Sequence, residues 1–275
     1  MAWMPDPDTN EGTPFRELKP GDRYVALGSS FGAGPGIPPR VEGAPRASGR
    51  SANNYAHLLA ARLELDLDDV TFSGATAAEM LAAGGQIEAV TETTRLVTVT
   101  GGGNDVGYIP GLVAASVPRF LRVLPSIRRG LADTNGTGHL DERFDQLTQT
   151  LTSLVREVRR RAPHSIIVLV DYVTLVPADE SIATPPLSSG AAHWGRTMAA
   201  RLVEVTRAVA AAEGCLYAAA SDISASHHAF SAEPWSKHFH YSLRGGAPYH
   251  PNAAGMAAIA ALVGDQLNRP SVLPE

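Results

Sequence analysis

Apolar residues fall along this chain in two textures. The short runs Tyr24-Val25-Ala26-Leu27-Gly28, Val70-Thr71-Phe72-Ser73-Gly74, Arg95 to Thr100, Ser165 to Val170 and Cys215 to Ala219 have few polar interruptions. A strand covered on one face would alternate with period two, so these runs predict five strands buried on both faces. Between them apolar positions recur three or four apart. Phe144, Leu147, Leu151, Leu154, Val155 and Val158 make one such stripe, and Trp194, Met198, Leu202, Val205 and Val209 make another. Helical spacing also runs from Asn53 to Leu63, and Thr76 followed by Glu79 is a capping-box pattern that starts a helix just after Gly74. His250-Pro251-Asn252 opens the last helix, with Pro251 expected in its first turn. Strands separated by helices predict an α/β fold: a three-layer α/β/α sandwich around a parallel sheet of about five strands.

Other stretches punctuate this pattern. Residues 1–20 form a polar, proline-bearing lead, and glycines and prolines crowd residues 32–49 into a loop of the length compact domains usually reserve for function. Residues 106–139 are apolar with Arg119, Arg122, Arg128 and Arg129 interspersed, and are expected to form an insertion or lid over the sheet. With no internal repeat and no interdomain linker, residues 1–275 are expected to form one domain.

In open parallel sheets the ligand crevice lies beyond the carboxyl ends of the strands. Those ends carry Gly28-Ser29-Ser30-Phe31, Ser73-Gly74-Ala75 and Gly101-Gly102-Gly103-Asn104-Asp105, while His250 precedes the last helix. A hydroxyl, exposed backbone amides, a side-chain amide and an imidazole are the parts acyl transfer needs. Taken in order, Tyr24 to Ser30, Phe72-Ser73-Gly74-Ala75-Thr76, Thr100 to Asp105 and His250-Pro251-Asn252 resemble the four blocks of the SGNH hydrolases, the GDSL-type esterases and lipases. The resemblance runs from Tyr24 to the final helix. It implies a flavodoxin-like fold and a serine hydrolase of carboxylic esters. Ser30 would be the nucleophile, His250 the general base, and the Ser30 amide, the Gly74 amide and the Asn104 side chain the oxyanion hole.

Two positions depart from the family pattern. Gly28-Ser29-Ser30 stands where Gly-Asp-Ser is usual, and Ala247 stands where an Asp commonly precedes the histidine by three residues. An imidazole needs an acceptor for its Nδ1 proton. A backbone carbonyl near Ala247 or Pro248 is one candidate; Asp22, Asp105, Asp171 and Asp222, near strand ends or family blocks, are candidates for a relocated acid. Asp105 is equally read as a cap of the following turn and stands outside the catalytic set.

Composition trims the alternatives. The chain carries 23 Lys and Arg against 28 Asp and Glu, a net charge of −5, which disfavours a nucleic-acid binder. The single cysteine, Cys215, cannot form an internal disulfide, and the amino terminus has no basic start followed by an apolar run. A cytoplasmic address without a transmembrane segment is therefore expected. His227, His228, His238 and His240 lie within fourteen residues but lack the cysteine or carboxylate spacing of zinc sites, so they are read as a rim of the crevice. The glycine-rich loops match no phosphate-binding pattern, and no metal or cofactor is expected. The partner is a small-molecule or lipid ester. Ile109, Leu112, Val113, Phe120, Leu121 and Leu124 beside the strand ends suggest an acyl pocket for medium chains. The competing readings are a carbohydrate O-deacetylase and a non-catalytic lipid- or glycan-binding protein.

Overall fold

A computed structural model describes residues 17–118, 120, 123–124, 139–239 and 247–268. Its sheet contains β1 (Arg23–Gly28), β2 (Asp66–Asp69), β3 (Thr94–Thr100), β4 (Ile166–Val170) and β5 (Leu216–Ala218). All neighbours are parallel, in the order β2-β1-β3-β4-β5. The chain order reverses direction across the sheet between β1 and β3, which opens a crevice at their carboxyl ends. Helices α2 (Tyr55–Leu63) and α8 (Ala253–Leu267) pack together on one face, and α3 (Ala77–Leu81), α5 (Leu140–Arg161) and α6 (Ser189–Ala212) pack together on the other. The remaining helices are the short α1 (Ser30–Ala33), α4 (Tyr108–Ser116) and α7 (Ala220–Ile223). This is the expected three-layer α/β/α architecture.

The central strands show why the apolar runs read as doubly covered. Tyr24, Val25, Ala26, Leu27, Leu96 and Val97 are fully buried. Polar atoms among them are paired: Tyr24 Oη lies 2.8 Å from Thr98 Oγ1, and Tyr55 Oη 2.8 Å from Thr100 Oγ1. On α5 the stripe from Phe144 to Val158 is buried, as its spacing requires. The capping box at Thr76 and Glu79 is formed with both reciprocal hydrogen bonds.

Two elements shift. The second strand is Asp66–Asp69, not Val70 to Gly74. An edge strand with one neighbour tolerates acidic residues, and only Asp69 of β2 is buried. The apolar run after it still follows β1, through Val70 N to Ala26 O at 3.2 Å and Phe72 N to Gly28 O at 2.9 Å, but turns out of the sheet into the crevice. Pro251 does not lie in the first turn of α8. Asn252 caps that helix by accepting from Gly255 N, which leaves Pro251 before the cap in an isolated bridge to Ser236.

Within residues 106–139, α4 is a core helix. Ile109 and Leu112 are buried, and Leu112 packs where a side chain at Gly195 would stand. Phe120 and Leu124 are exposed; Leu121 and the arginines at 119, 122, 128 and 129 lie outside the described residues.

Candidate active site

Strand β1 ends at Gly28, where a Cβ would stand 2.8 Å from Thr100 O, so the backbone passes β3 too closely for any other residue. Ser29 N still donates to Thr100 O at 2.9 Å, and Ser30 then begins α1. The carboxyl end of the sheet thus sets the Ser30 hydroxyl at the crevice. His250, 220 residues later, meets it: Nε2 lies 2.8 Å from Ser30 Oγ. Its Nδ1 lies 2.8 Å from Pro248 O. A carbonyl only accepts, so Nδ1 carries the proton and Nε2 presents its lone pair to the Ser30 hydroxyl.

Burial depresses the His250 pKa to about 4, opposed by the hydrogen bond to Pro248 O and reinforced by the charge of Lys237. The imidazole is therefore neutral at neutral pH, the form that accepts a proton. Its setting is a two-residue ladder: Lys237 N donates to His250 O at 2.9 Å, and Tyr249 N to Lys237 O at 2.7 Å. Tyr249 is fully buried, holds φ at +61°, and its Oη lies 2.6 Å from Ser116 Oγ. A bulky residue in the left-handed region is strained by about 1–3 kcal/mol and is held there by its surroundings. The ring of Phe31 packs on His250, with centroids 5.1 Å apart.

The opposite wall is built from the two remaining blocks. Gly74 sits at φ +88°, which favours glycine. Asn104 Nδ2 donates to Ala75 O at 2.9 Å, and the Asp105 carboxylate accepts from Ala77 N at 3.0 and 3.1 Å. Asp105 therefore caps α3 and braces the loop after β3 against the loop after β2. Burial raises its pKa, partly countered by that amide. Among the described residues neither the Ser30 nor the Gly74 amide donates a hydrogen bond, leaving two donors at the crevice.

No candidate acid contacts His250. Asp22 accepts from Lys19 N, Asp171 from Tyr217 and Ser221, and Asp222 lies 3.9 Å from Arg207. His227 and His228 make separate contacts. His227 stacks on Trp235 at 4.1 Å, buried His228 accepts from Phe230 N, and His240 lies outside the described residues. Among the described residues no group of three or more His, Cys, Asp or Glu is placed to hold a metal.

Motif reading missed Tyr172. Its Oη accepts from Gly103 N at 3.0 Å and lies 3.3 Å from Ser29 Oγ, and its ring packs on Phe31 at 4.2 Å. Since Gly103 N must donate, the phenol proton is free to point at Ser29. This buried pair occupies the position where the family pattern has an acid: a carboxylate at 29 would face a phenol already pushed up to about 12 by burial. Its only sequence signal is its place one residue beyond Asp171 at the end of β4.

These loops at the switch point of a parallel sheet define a crevice in which a serine hydroxyl meets an imidazole. The sequence model of the GDSL-like Lipase/Acylhydrolase family matches residues 26–258. The chain belongs to that family and is a carboxylic ester hydrolase. It is 33% identical over 250 residues to "Lipase 2" of Streptomyces coelicolor, covering 86% of this chain and 83% of that protein. Phospholipase A1 from Streptomyces albidoflavus shares the fold with a TM-score of 0.74 at 24% identity, over 90% of this chain and 99% of that one. An acetylxylan esterase from Geobacillus stearothermophilus does so at 0.54 and 16%, over 92% and 97%. Among the described residues no helix is long and apolar enough to cross a membrane.

Proposed function

We propose that Ser30 is the nucleophile and His250 the general base of a metal-independent esterase in which one domain, residues 1–275, carries the whole site. The observation that carries this reading is the relay Ser30 Oγ to His250 Nε2, 2.8 Å, with Nδ1 held by Pro248 O at 2.8 Å. As Ser30 Oγ attacks the ester carbonyl, its proton passes to Nε2. The carbonyl oxygen becomes an oxyanion facing the amides of Ser30 and Gly74 and the Asn104 side chain. The tetrahedral intermediate expels the alcohol, which takes the proton from Nε2, and leaves Ser30 acylated. Water, deprotonated by the same nitrogen, then releases the carboxylic acid and restores Ser30.

For the acyl group we infer medium-chain esters, supported by the lipase and phospholipase names of the relatives and by the exposed apolar side chains of Phe120 and Leu124. Burial of Ile109 and Leu112 in the core removes part of the expected acyl wall and favours, as second reading, a short-chain acetyl esterase acting on carbohydrate. We propose the cytoplasmic address on the single cysteine, which can form no internal disulfide. A structural relative described as an extracellular lipase of Streptomyces rimosus argues against it, and fractionation of the source cell decides.

A fluorophosphonate probe tests the nucleophile: mass spectrometry should find the adduct on Ser30 in the parent protein and none in Ser30→Ala. An adduct elsewhere, or none, rejects the assignment. A p-nitrophenyl ester series from acetate to decanoate tests the chain length. Each buried methylene contributes roughly 0.8 kcal/mol, up to about fourfold in kcat/KM, until the pocket is full. Activity that peaks at acetate promotes the carbohydrate reading.

A further inference from the structure

The loop that carries Asn104 has little of its own to hold it. Gly101-Gly102-Gly103 places three glycines in a row, with Gly102 at φ +104°, and glycine loses more backbone freedom on ordering than any other residue. The brace comes from other elements. A Cβ on Gly101 would stand 2.8 Å from Met80 of α3, one on Gly102 3.0 Å from Leu147 of α5, and one on Gly103 2.9 Å from the Tyr172 hydroxyl. Met80 and Leu147 offer apolar contact, whereas Tyr172 Oη also accepts from Gly103 N at 3.0 Å. Gly103 O in turn accepts from Tyr108 N at 2.8 Å, so both polar groups of the residue before Asn104 are engaged. Asn104 Nδ2 carries two protons, of which Ala75 O takes one. Where the other points depends on the backbone that Tyr172 holds.

The same phenol reaches the nucleophile strand. Its oxygen lies 3.3 Å from Ser29 Oγ and its ring packs on Phe31 at 4.2 Å, the two residues on either side of Ser30. One side chain, two residues beyond β4, therefore spans the distance between nucleophile and amide donor. The Ser30 and His250 pair is tied separately. Lys237 Nζ donates to Pro35 O and Gly36 O at 3.4 and 3.2 Å on the loop that leaves Ser30, and the Lys237 backbone ladders with His250. Loss of the phenol oxygen should therefore disturb the donor and leave the base in place.

We propose that Tyr172 is the positioning residue of the oxyanion hole: its hydroxyl, by holding Gly103 N, aims the Asn104 amide at the carbonyl that Ser30 attacks. This rests on the roles assigned to Ser30 and Asn104. A double-mutant cycle on p-nitrophenyl hexanoate tests it, with kcat normalised to the sites a fluorophosphonate titrates to completion, so that unfolded molecules are not counted. Tyr172→Phe keeps the ring on Phe31 and removes the acceptor of Gly103 N. It should lower kcat by about 10- to 100-fold, as a misplaced catalytic group does, with KM within about twofold and the acid limb still near about 4. In the Asn104→Ala background the same substitution should cost less than about threefold, since no donor is left to aim. Ser29→Ala, which retains the bond from Gly103 N, should keep most of the activity. Equal losses in the two backgrounds, an unchanged kcat for Tyr172→Phe, a shifted limb, or a Ser29→Ala variant as slow as Tyr172→Phe overturns the proposal. Failure of the underlying roles reads differently: the probe misses Ser30 in the parent, or Asn104→Ala alone keeps full kcat, and either takes the proposal down with it.

Discussion

His57 stands beside a buried carboxylate, and His250 beside a serine hydroxyl. His57 Nε2 lies 3.4 Å from Asp69 Oδ2, under the edge of the sheet. Asp69 also accepts from Thr71 N at 3.0 Å, Thr71 Oγ1 at 2.6 Å and Asn54 Nδ2 at 2.8 Å, while Asn54 caps α2 by accepting from His57 N. Burial would raise the Asp69 pKa, but His57, Thr71 and Asn54 together hold it below the ordinary value. His250 has the opposite environment, a hydroxyl on one nitrogen and a neutral carbonyl on the other. The contrast separates two uses of an acceptor. Asp69 is a permanent charge that ties a helix start to a strand end. Pro248 O is a fixed dipole that orients an imidazole and, in the proposed mechanism, would leave the imidazolium without a full counter-charge.

The largest effects should fall on the hydroxyl side. Ser30→Ala should lower kcat/KM for an aryl ester by more than about 10³-fold, with His250→Ala close behind, while Ser29→Ala keeps most of the activity. Comparable losses in the two serine variants would break the comparison at its root. Asn104→Ala should lower kcat by about 10²- to 10³-fold with little change in KM, since its hydrogen bond tightens as the oxyanion develops. A change confined to KM would make Asn104 a ground-state contact. Gly74→Ala should cost less. An added Cβ meets nothing within 4 Å, so the penalty is backbone strain at φ +88° without a clash.

Intermediate in size is the response to pH. With His250 neutral down to about 4, kcat/KM should be flat from pH 8 to about 5 and reach half near 4. Restoring a carboxylate by Ala247→Asp should raise the imidazole pKa and carry that limb upward by about one unit or more. An unmoved limb would mean the new side chain does not reach Nδ1. Stability has its own sign. The imidazole is neutral in the fold and titrates near 6.5 when unfolded, so its contribution is complete above about 6.5 and falls until about pH 4. Melting curves recorded in parallel separate that loss from protonation of the base. The smallest effect on turnover belongs to Asp69→Asn. It should lower stability by about 1–3 kcal/mol, read as a drop in Tm, and leave kcat and its pH limb in place. A shifted limb would show that the two histidines are coupled.

Much of this was legible in the residues. The doubly buried runs of β1, β3 and β4 and the stripes of α5 and α6 announce themselves because burial demands those patterns. Strand β2 does not, because Asp66-Leu67-Asp68-Asp69 lies at an edge where polar side chains are tolerated, while Val70 to Gly74 is apolar for the sake of the crevice. Ser30, Gly74, Asn104 and His250 were legible as motif blocks at element ends. Tyr172 and Lys237 were not: they act through contacts 143 and about 200 residues away, and neither belongs to a block. Nor does sequence distinguish apolar side chains that line a pocket from those that fill a core, which is why Ile109 and Leu112 read as acyl wall.

The left-handed backbone of Tyr249 narrows what evolution can do beside the base. Glycine would relax the dihedral but vacate a fully buried aromatic volume, and asparagine, which tolerates the left-handed region, fills only part of it. Phenylalanine keeps the ring and surrenders the partner of Ser116, whose hydroxyl would still donate to Leu112 O. Position 249 therefore has few neighbours in sequence space. Drift that restores an acid at 247 must proceed with this tyrosine in place, so the approach to a full triad runs through a single-residue bottleneck next to the histidine it would serve.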